Sequence, residues 1–434
     1  MTNEVTIIGG GLAGAEAAYQ IHKRGGRAVI IEEKPARFSP AHSSPMLAEL
    51  VCSNSLKSDA LENAAGLLKE EMRLLDSLVL KAAQTARVPA GKTLAVDRGA
   101  FSEFITAALD DAGARVVREE ATAIPGTRPL IIATGPLTSD AFAQAVSVFI
   151  GREGLYFYDA VAPIVYKDGI NMDKAFFASR YGKGGDDYIN CPLDTVEYER
   201  FYNALVEADK VNGREFEDIK IFEGCMPIEV MAERGAKTLV FGPMKPVGLI
   251  DPKTGGRPYA ALQLRRENTE GTLYNMVGFQ TRLKFPEQKK VFRLIPALES
   301  AEFARLGKLH RNSYIDSPRL LFSTQQLRKD AGVFFAGQIT GVEGYCESAA
   351  SGLLAGINAL RVVKGFPAMT PPASTITGAL MRHISNGQNR NFSPMNANMG
   401  LLPDIPGRKK DKREAQVKKA LEDFRVWSNE FTRI

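Results

Sequence analysis

The chain has 434 residues, 44% of them hydrophobic and 24% charged, and a net charge of +5, which is the composition of a globular protein large enough for two domains. No run of about 18 uncharged apolar residues occurs, and the N-terminus lacks the basic and cleavable segments of a secretory signal, so we expect neither a membrane span nor export. Four cysteines without C-x-x-C spacing exclude a disulfide framework and predict free thiols in a reducing cytoplasm.

A glycine-rich loop follows the first predicted strand. Residues 5–8 are an apolar run typical of a buried parallel strand, and residues 9–14 then read Gly-Gly-Gly-Leu-Ala-Gly. The G-x-G-x-x-G spacing predicts three separate roles. Gly9 permits the tight turn, Gly11 lets the backbone approach a pyrophosphate, and Gly14 lets a helix pack on the strand.

The next segments complete a dinucleotide-binding unit. An alanine-rich helix is predicted at 15–23, and a second strand at 28–31 ends at Glu32, 18 residues after Gly14. The helix N-terminus offers N–H groups and a positive dipole end to phosphates, and the carboxylate is placed to bind a ribose hydroxyl. The predicted contacts are Gly9, Gly10, Gly11, Leu12, Ala13, Gly14 and Glu32.

Cys52 is the first candidate for a reactive thiol. It precedes a long helical stretch predicted at 61–82, and the residues after it, Ser53, Asn54 and Ser55, are helix-capping types. A thiol near a helix N-terminus has its thiolate favoured. The alternative is that an isolated cysteine is a small buried apolar residue, which is the commoner situation.

The same loop pattern serves NAD, FAD or S-adenosylmethionine, and two later segments favour FAD. Residues 129–135 predict a buried strand ending in Ala-Thr-Gly, and residues 333–341 predict another ending in a glycine turn. A helix of small residues is predicted at 347–356, and these small side chains allow its N-terminus to approach the flavin. The alternative is one more packed strand–helix unit. The further predicted contacts are Gly135, Gly337, Gln338, Gly341 and Tyr345.

Residues 151–312 differ in composition from the rest of the chain, with many aromatic and turn-forming residues. The segments at 155–158 and 219–222 show the alternating pattern of strands. We expect an inserted, smaller α+β domain here, whose sheet covers the flavin. The fold class is therefore α/β, with a Rossmann-like FAD-binding domain at 1–150 plus 313–434.

The inserted region contains the second candidate thiol. Cys225 lies in a loop bounded by glycine and proline that also holds two carboxylates, whereas Cys191 and, later in the chain, Cys346 have no such context. The four histidines show no H-E-x-x-H or paired spacing, so we expect no metal site.

The positive charge is concentrated near the end of the chain, just before and within a helical pattern at 416–424. The window from Arg408 to Lys419 contains seven basic residues and two acidic ones, Asp411 and Glu414, so its net charge is +5. A basic cluster fits a polyanion bound through its phosphates, and the alternative is a solvated helix face. The basic residues are Arg408, Lys409, Lys410, Lys412, Arg413, Lys418 and Lys419.

Several long motifs, in order, make the chain resemble the TrmFO family of folate- and FAD-dependent tRNA (uracil-5-)-methyltransferases over essentially its whole length. Among them are Leu-Val-Cys-Ser-Asn-Ser-Leu at 50–56 and Gly-Cys-Met-Pro-Ile-Glu-Val-Met-Ala at 224–232. The other motifs lie at 9–14, 40–42, 88–91, 95–98, 241–249, 278–282, 310–312 and 335–345. The related MnmG family shares the Ala-Gly-Gln-Ile segment but has an added C-terminal helical domain that this chain is too short to hold.

The resemblance implies a reaction and its participants. Methylenetetrahydrofolate gives the carbon, reduced FAD carries it and supplies electrons, NADH or NADPH reduces the flavin, and C5 of the T-loop uridine (position 54) of tRNA is methylated. By the same resemblance Cys225 adds to C6 of uracil, and Cys52 acts near the flavin. Gln338 departs from the Asp of many flavoproteins, but MnmG relatives share the glutamine. The predicted RNA contacts are Arg408, Lys409, Lys410, Lys412 and Arg413.

Alternatives remain open at this point. One branch of the family methylates a uridine of 23S ribosomal RNA, and no motif separates the two targets. A plain NAD(P)H–flavin oxidoreductase is disfavoured by the basic window, and a non-catalytic RNA-binding flavoprotein by the loop thiols Cys52 and Cys225. The preferred nicotinamide and the oligomeric state, monomer or dimer, are also open.

Overall fold

The computed structural model describes residues 3–152, 154–182, 185–211, 226–389, 392–406 and 409–434, with the backbone alone at 409 and 410. Within these ranges no helix has both the length and the apolar character needed to cross a lipid bilayer. Cys225, Arg408 and the segment predicted at 219–222 lie outside the described residues.

Strands and helices are distributed along the whole of the described chain. In chain order the strands are β1 (Glu4–Ile8), β2 (Arg27–Glu32), β3 (Ser55–Ser58), β4 (Arg87–Val88), β5 (Thr93–Val96), β6 (Arg115–Arg118), β7 (Leu130–Ile132), β8 (Leu155–Ala160), β9 (Ile164–Tyr166), β10 (Phe176–Phe177), β11 (Tyr188–Leu193), β12 (Ala260–Arg266), β13 (Leu273–Met276), β14 (Phe303–Arg305), β15 (Leu309–Tyr314), β16 (Gln326–Leu327) and β17 (Asp330–Phe335). The α-helices are α1 (Leu12–Lys23), α2 (Ala64–Leu74), α3 (Leu78–Thr85), α4 (Arg98–Asp111), α5 (Asp140–Ile150), α6 (Thr195–Glu207), α7 (Ile228–Glu233), α8 (Thr238–Phe241), α9 (Phe285–Phe292), α10 (Ser317–Leu320), α11 (Tyr345–Val363), α12 (Ile376–Ile384) and α13 (Lys409–Phe431).

The first sheet confirms the predicted Rossmann-like fold. Its six strands lie in the order β16-β17-β7-β1-β2-β6, and all neighbouring pairs except β16–β17 are parallel. The strands predicted at the start of the chain, around 130 and around 333 are confirmed as β1, β2, β7 and β17. Both faces are covered, and Ile7, Ile30, Ile131 and Phe334 are fully buried, as the apolar runs require.

The strand order places a ligand site beside β1. The chain leaves β1 toward β2 on one side and returns as β7 on the other, so the order reverses there. Ile8, Ile132 and Phe335 are in register, so the segments after these residues emerge at one edge of the sheet. In open α/β sheets ligands bind at such a reversal, outside the carboxyl ends of the strands.

Helix α11 packs very closely along α1. A Cβ atom at Gly352 would lie 2.0 Å from the carbonyl oxygen of Ala13, and one at Gly356 would lie 2.6 Å from that of Ala17. The sequence interpretation attributed the small residues of this helix to flavin approach. For these two glycines that reason is wrong, because they allow contact between helices.

The prediction of one long helix at 61–82 is also wrong, because the chain forms α2 and α3 with a break between them. Asp76 has a φ of 60°, which a continuing right-handed helix does not allow. The carboxylate of Asp76 pairs with Lys23 and Lys81, and the Ser77 side chain caps α3. The break is therefore held by specific polar contacts.

The second sheet lies within the predicted inserted region. Its strands have the order β10-β11-β12-β13-β9-β14 and pair antiparallel. It has its own buried core, whose members run from Val165 to Ala301. Strands β8 and β15 pair where the chain enters and leaves this region. These observations support, as a proposal, an inserted domain at 151–312 and a FAD-binding domain at 1–150 plus 313–434.

The C-terminal helix predicted at 416–424 is confirmed and is longer than expected, as α13. Ala420, Phe424, Trp427 and Phe431 are buried at helical spacing. The Trp427 and Phe431 rings stack with centroids 4.2 Å apart. This apolar stripe fixes α13 to the body of the protein and leaves its other face to solvent.

Candidate flavin and thiol site

The loop between β1 and α1 is held by the carboxylate of Glu32. The backbone N–H of Gly10 donates to Oε2 at 2.6 Å, and that of Lys34 donates to Oε1 at 3.1 Å. A Cβ atom at Gly14 would lie 1.8 Å from the carbonyl oxygen of Gly9, so the helix meets the loop only through glycine. A Cβ atom at Gly11 would meet no described atom within 4 Å.

A cavity borders this loop at the carboxyl edge of the first sheet. Of the predicted cofactor contacts, its lining includes Gly9, Gly11, Leu12, Ala13, Glu32, Gly135, Gly337, Gln338 and Tyr345. No side chain of the described chain caps the N-terminus of α1, so its first N–H groups are available to an anion. Open space at Gly11 beside these N–H groups fits the pyrophosphate of a dinucleotide such as FAD.

Three predicted contacts are not among the lining residues. Gly14 meets Gly9, and a Cβ atom at Gly10 would lie 2.5 Å from the side chain of Leu47. A Cβ atom at Gly341 would lie 2.4 Å from the Phe392 ring. These glycines are explained by packing around the cavity.

Tyr345, the first residue of α11, holds the loop that carries Cys52. Its hydroxyl oxygen accepts hydrogen bonds from the backbone N–H of Cys52 at 2.8 Å and of Ser53 at 3.2 Å. Tyr345 and Val51 both line the cavity, so the half-buried Cys52 lies at its border.

The predicted environment of Cys52 is wrong. The segment after it forms β3, and the next helix begins at Ala64, so Cys52 does not lie just before a helix N-terminus as predicted. Burial and the Asp159 carboxylate raise the pKa of Cys52 to about 12, although the guanidinium groups of Arg98 and Arg305 act in the opposite direction. Cys52 is therefore a protonated thiol at neutral pH.

A group of charged side chains missed by the sequence interpretation lies around the start of α11. Glu343 is 8% exposed and accepts a hydrogen bond from the amide of Gln338, a residue of the cavity lining. Burial and the nearby Asp159 carboxylate raise the pKa of Glu343 to about 8. Four residues after Glu343, the buried carboxylate of Glu347 lies 2.8 Å from Nζ of Lys57 in β3. A protonated carboxyl group is thus placed next to the cavity lining.

Comparison with known proteins identifies the family. The family model described as Glucose inhibited division protein A matches residues 4–367. A protein of Geobacter sulfurreducens named methylenetetrahydrofolate–tRNA-(uracil-5-)-methyltransferase TrmFO is 57% identical over 431 residues, which cover 98% of this chain and 99% of the relative. The chain belongs to the TrmFO family.

Further relatives agree with this assignment. The TrmFO of Heliobacterium modesticaldum is 56% identical over 424 residues, which cover 97% of each chain. A solved structure of Aquifex aeolicus GidA has a TM-score of 0.73 at 16% identity and covers 99% of this chain and 74% of that one. This structure shows that GidA and this TrmFO family member share a fold.

Two other cysteines of this TrmFO chain have structural surroundings. Cys191 is fully buried in β11, and burial raises its pKa far above the ordinary value. Cys346 is 3% exposed, and burial raises its pKa to about 11. Cys225 lies outside the described residues. Among those described, no three His, Cys, Asp or Glu side chains are grouped to hold a metal ion.

The basic window of this TrmFO chain lies at the start of α13. Lys412 pairs with Asp404, Lys418 with Glu422 at 3.9 Å, and Lys419 with Asp423 at 3.0 Å. Arg413 is exposed. Part of the window's positive charge is therefore balanced locally, which the sequence alone did not reveal.

Proposed function

We propose that this protein methylates C5 of a tRNA uridine, with methylenetetrahydrofolate as carbon donor and FAD as cofactor. Close relatives across the full length are named for this activity. The observation that carries the proposal is the cavity that begins at the Gly9–Gly14 loop and ends at Tyr345, whose hydroxyl holds Cys52. The loop proposed to bind the dinucleotide and the thiol of Cys52 thus lie at the same cavity.

The cofactor roles follow from the cavity. Bound FAD, reduced by NADH or NADPH, would supply the electrons and carry the one-carbon unit. The uncapped N-terminus of α1 would bind its pyrophosphate, and Gln338 and Tyr345 line the cavity beyond the end of β17, at the same edge of the sheet. The Glu32 carboxylate would fix the loop through Gly10 and bind a ribose hydroxyl.

The two thiols are proposed to have different roles. Carbon 5 of uracil is a poor nucleophile until a thiolate adds at C6, and this addition is assigned to Cys225. Cys52 enters the reaction as a thiol because its pKa is far above neutrality. It therefore holds a proton at the border of the cavity and would serve the one-carbon transfer. The free thiols of the three described cysteines also favour a reducing, cytoplasmic setting.

The substrate is proposed to be the T-loop uridine (position 54) of tRNA, bound in part by the start of α13. The residues proposed to contact phosphates are Arg408, Lys409, Lys410, Lys412 and Arg413.

The activity is tested by mass analysis of unmodified tRNA incubated with the holoprotein, NADPH and carbon-labelled methylenetetrahydrofolate. We expect label in 5-methyluridine at position 54, and none in a transcript with cytidine there. Label from S-adenosylmethionine, or methylation of a 23S ribosomal RNA fragment in place of tRNA, would contradict the proposal.

The thiol roles are tested by covalent trapping with tRNA that contains 5-fluorouracil. Cys225→Ala should abolish both methylation and the trapped adduct, because no thiolate adds at C6. Cys52→Ala should impair methylation but keep FAD bound. Cys191→Ala, in a cysteine buried within β11, is the matched control and should keep methylation. An adduct with Cys225→Ala and none with Cys52→Ala would exchange the two roles.

A further inference from the structure

The loop that carries Cys52 is held by two arginines of the inserted region. Arg305, the last residue of β14, donates from Nη1 to the carbonyl oxygen of Val51 and from Nη2 to that of Cys52, both at 3.2 Å. Arg265 of β12 donates to the Ser53 hydroxyl at 2.8 Å and the Asn54 side chain at 3.0 Å. The backbone on both sides of the thiol is thus fixed by side chains more than 200 residues away.

The same arrangement brings positive charge to the loop, whereas the carboxylates of Asp159 and Glu343 act on the Cys52 thiol in the opposite direction. Arg98 adds a third guanidinium group, which donates to the carbonyl oxygens of Leu50 at 2.9 Å and Cys52 at 3.3 Å. The Glu267 carboxylate is paired with Arg98. Burial and repulsion by Arg98 lower the pKa of Arg305 to about 10, so Arg305 keeps its charge at neutral pH.

We propose that Arg305 is a positioning residue for Cys52, which orients the thiol and supplies a positive charge beside it. This inference rests on the proposed role of Cys52 in methyl transfer. A planar guanidinium group bridges two successive carbonyl oxygens, which fixes the peptide planes on either side of the Cys52 Cα. Its charge lowers the thiol pKa, which burial otherwise raises. A lysine would keep the charge but would not bridge both carbonyls.

Arg293 is a matched control in the same inserted region. It also donates twice to backbone, from Nε at 3.1 Å and from Nη2 at 2.9 Å, but both bonds go to the carbonyl oxygen of Ala301. Loss of Arg293 therefore removes an arginine that fastens a loop without contact to the Cys52 segment. A purely structural role for Arg305 would make the two arginines equivalent in every measurement at the thiol.

The test compares alkylation of Cys52 in the full-length holoprotein by iodoacetate and by iodoacetamide at low ionic strength, read on the Cys52 peptide by mass spectrometry. The ratio of the two rate constants reports the electrostatic potential at the sulfur, because thiolate fraction and access largely cancel. We expect Arg305→Gln to lower this ratio by about threefold or more, from the loss of one nearby charge. Arg305→Lys and Arg293→Gln should leave it unchanged.

Methylation provides the second readout. Both Arg305 variants should lose most of the methylation rate, since neither bridges the Val51 and Cys52 carbonyls, and Arg293→Gln should keep it. An unchanged ratio in Arg305→Gln, or full activity in Arg305→Lys, would overturn the inference. Full methylation by Cys52→Ala would instead refute the role of Cys52, and the alkylation ratio would be unaffected by that result.

Discussion

The hydroxyl of Tyr345 accepts a hydrogen bond from the backbone N–H of Cys52 at 2.8 Å, across 293 residues of sequence. The contact joins the first turn of α11 to the thiol loop, and the tyrosine itself lines the proposed flavin cavity. The position of Cys52 relative to the cofactor therefore depends on α11. Since α11 packs tightly on α1, it depends indirectly on the nucleotide loop as well.

Tyr345→Phe should loosen the thiol loop while leaving the cavity apolar surface intact. The backbone N–H groups of Cys52 and Ser53 lose their acceptor, which should lower the free energy of unfolding by about 1–2 kcal/mol. FAD absorbance should be kept and methylation should fall. Chemical denaturation and flavin spectra check this, and a variant with unchanged stability and activity would contradict the importance of this hydrogen bond. Tyr166→Phe, at an exposed tyrosine of β9, is the control and should change neither stability nor activity.

Substitutions at two glycines of the nucleotide loop should have different effects. Gly11→Leu places its side chain in open space beside the N-terminus of α1, so the protein should fold but lose FAD. Gly14→Ala puts a Cβ atom 1.8 Å from the Gly9 carbonyl oxygen and should prevent stable folding. Soluble yield, circular dichroism and flavin absorbance separate the two outcomes. A Gly11→Leu protein with full flavin content would mean that the pyrophosphate lies elsewhere.

The sequence predicted those parts of the fold whose causes are local. The strand, glycine loop and second strand that end at Glu32 follow from short-range patterns, because each step is fixed by its immediate neighbours. The break between α2 and α3 was missed although Ser77, which caps α3, is a local helix-start signal, and the contact of Asp76 with Lys23 could not be seen in the sequence. A polar contact from a distant segment leaves no periodic trace in the sequence.

The environment of Cys52 also depends on contacts from residues that are distant in sequence. Cys52 lies near the cavity, but its predicted environment was derived from neighbours in sequence, where a helix was expected. In the structure its surroundings come from Arg98, Arg305 and Tyr345, which converge only when both sheets are formed. Arg305 carried no sequence signal, because a single arginine at a strand end has no distinctive pattern.

Glu71 should contribute strongly to stability. It is fully buried in α2 and accepts hydrogen bonds from the N–H groups of Ile376 at 2.7 Å and Thr377 at 2.8 Å, at the start of α12. Glu71→Gln turns an amide N–H₂ toward these donors and should lower the free energy of unfolding by about 1–3 kcal/mol. Glu70→Gln, at the neighbouring and more exposed carboxylate, should cost only about 0.5 kcal/mol. Equal effects in urea denaturation at pH 8 would contradict the capping role.

The basic window should contribute to RNA affinity through phosphates. Arg413→Gln with Lys418→Gln should reduce the slope of log K against log salt by roughly one unit for each RNA phosphate that the variant no longer neutralises. Lys290→Gln is the matched control, because Lys290 is also exposed and pairs with a carboxylate one turn away. Flavin reduction by NADPH should not change. An unaltered slope in the double variant would favour a solvated helix face.

Glu343 should make stability depend on pH. Its folded pKa is raised to about 8, from an ordinary value of 4.5, mainly by burial and by the Asp159 carboxylate, with Lys57 and Gln338 opposing and Glu347 adding to the rise. The folded protein therefore holds a proton that the unfolded chain releases between these two pH values. The stabilisation is complete below pH 4.5 and is lost as the pH rises through about 8, by up to about 1.4 kcal/mol per pH unit. Glu343→Gln keeps an acceptor for the Gln338 amide but cannot titrate, so its free energy of unfolding should fall less steeply from pH 5 to pH 8. Urea denaturation at several pH values measures this, with the exposed Glu302→Gln as control. Parallel pH profiles for wild type and Glu343→Gln would show that another group holds the proton.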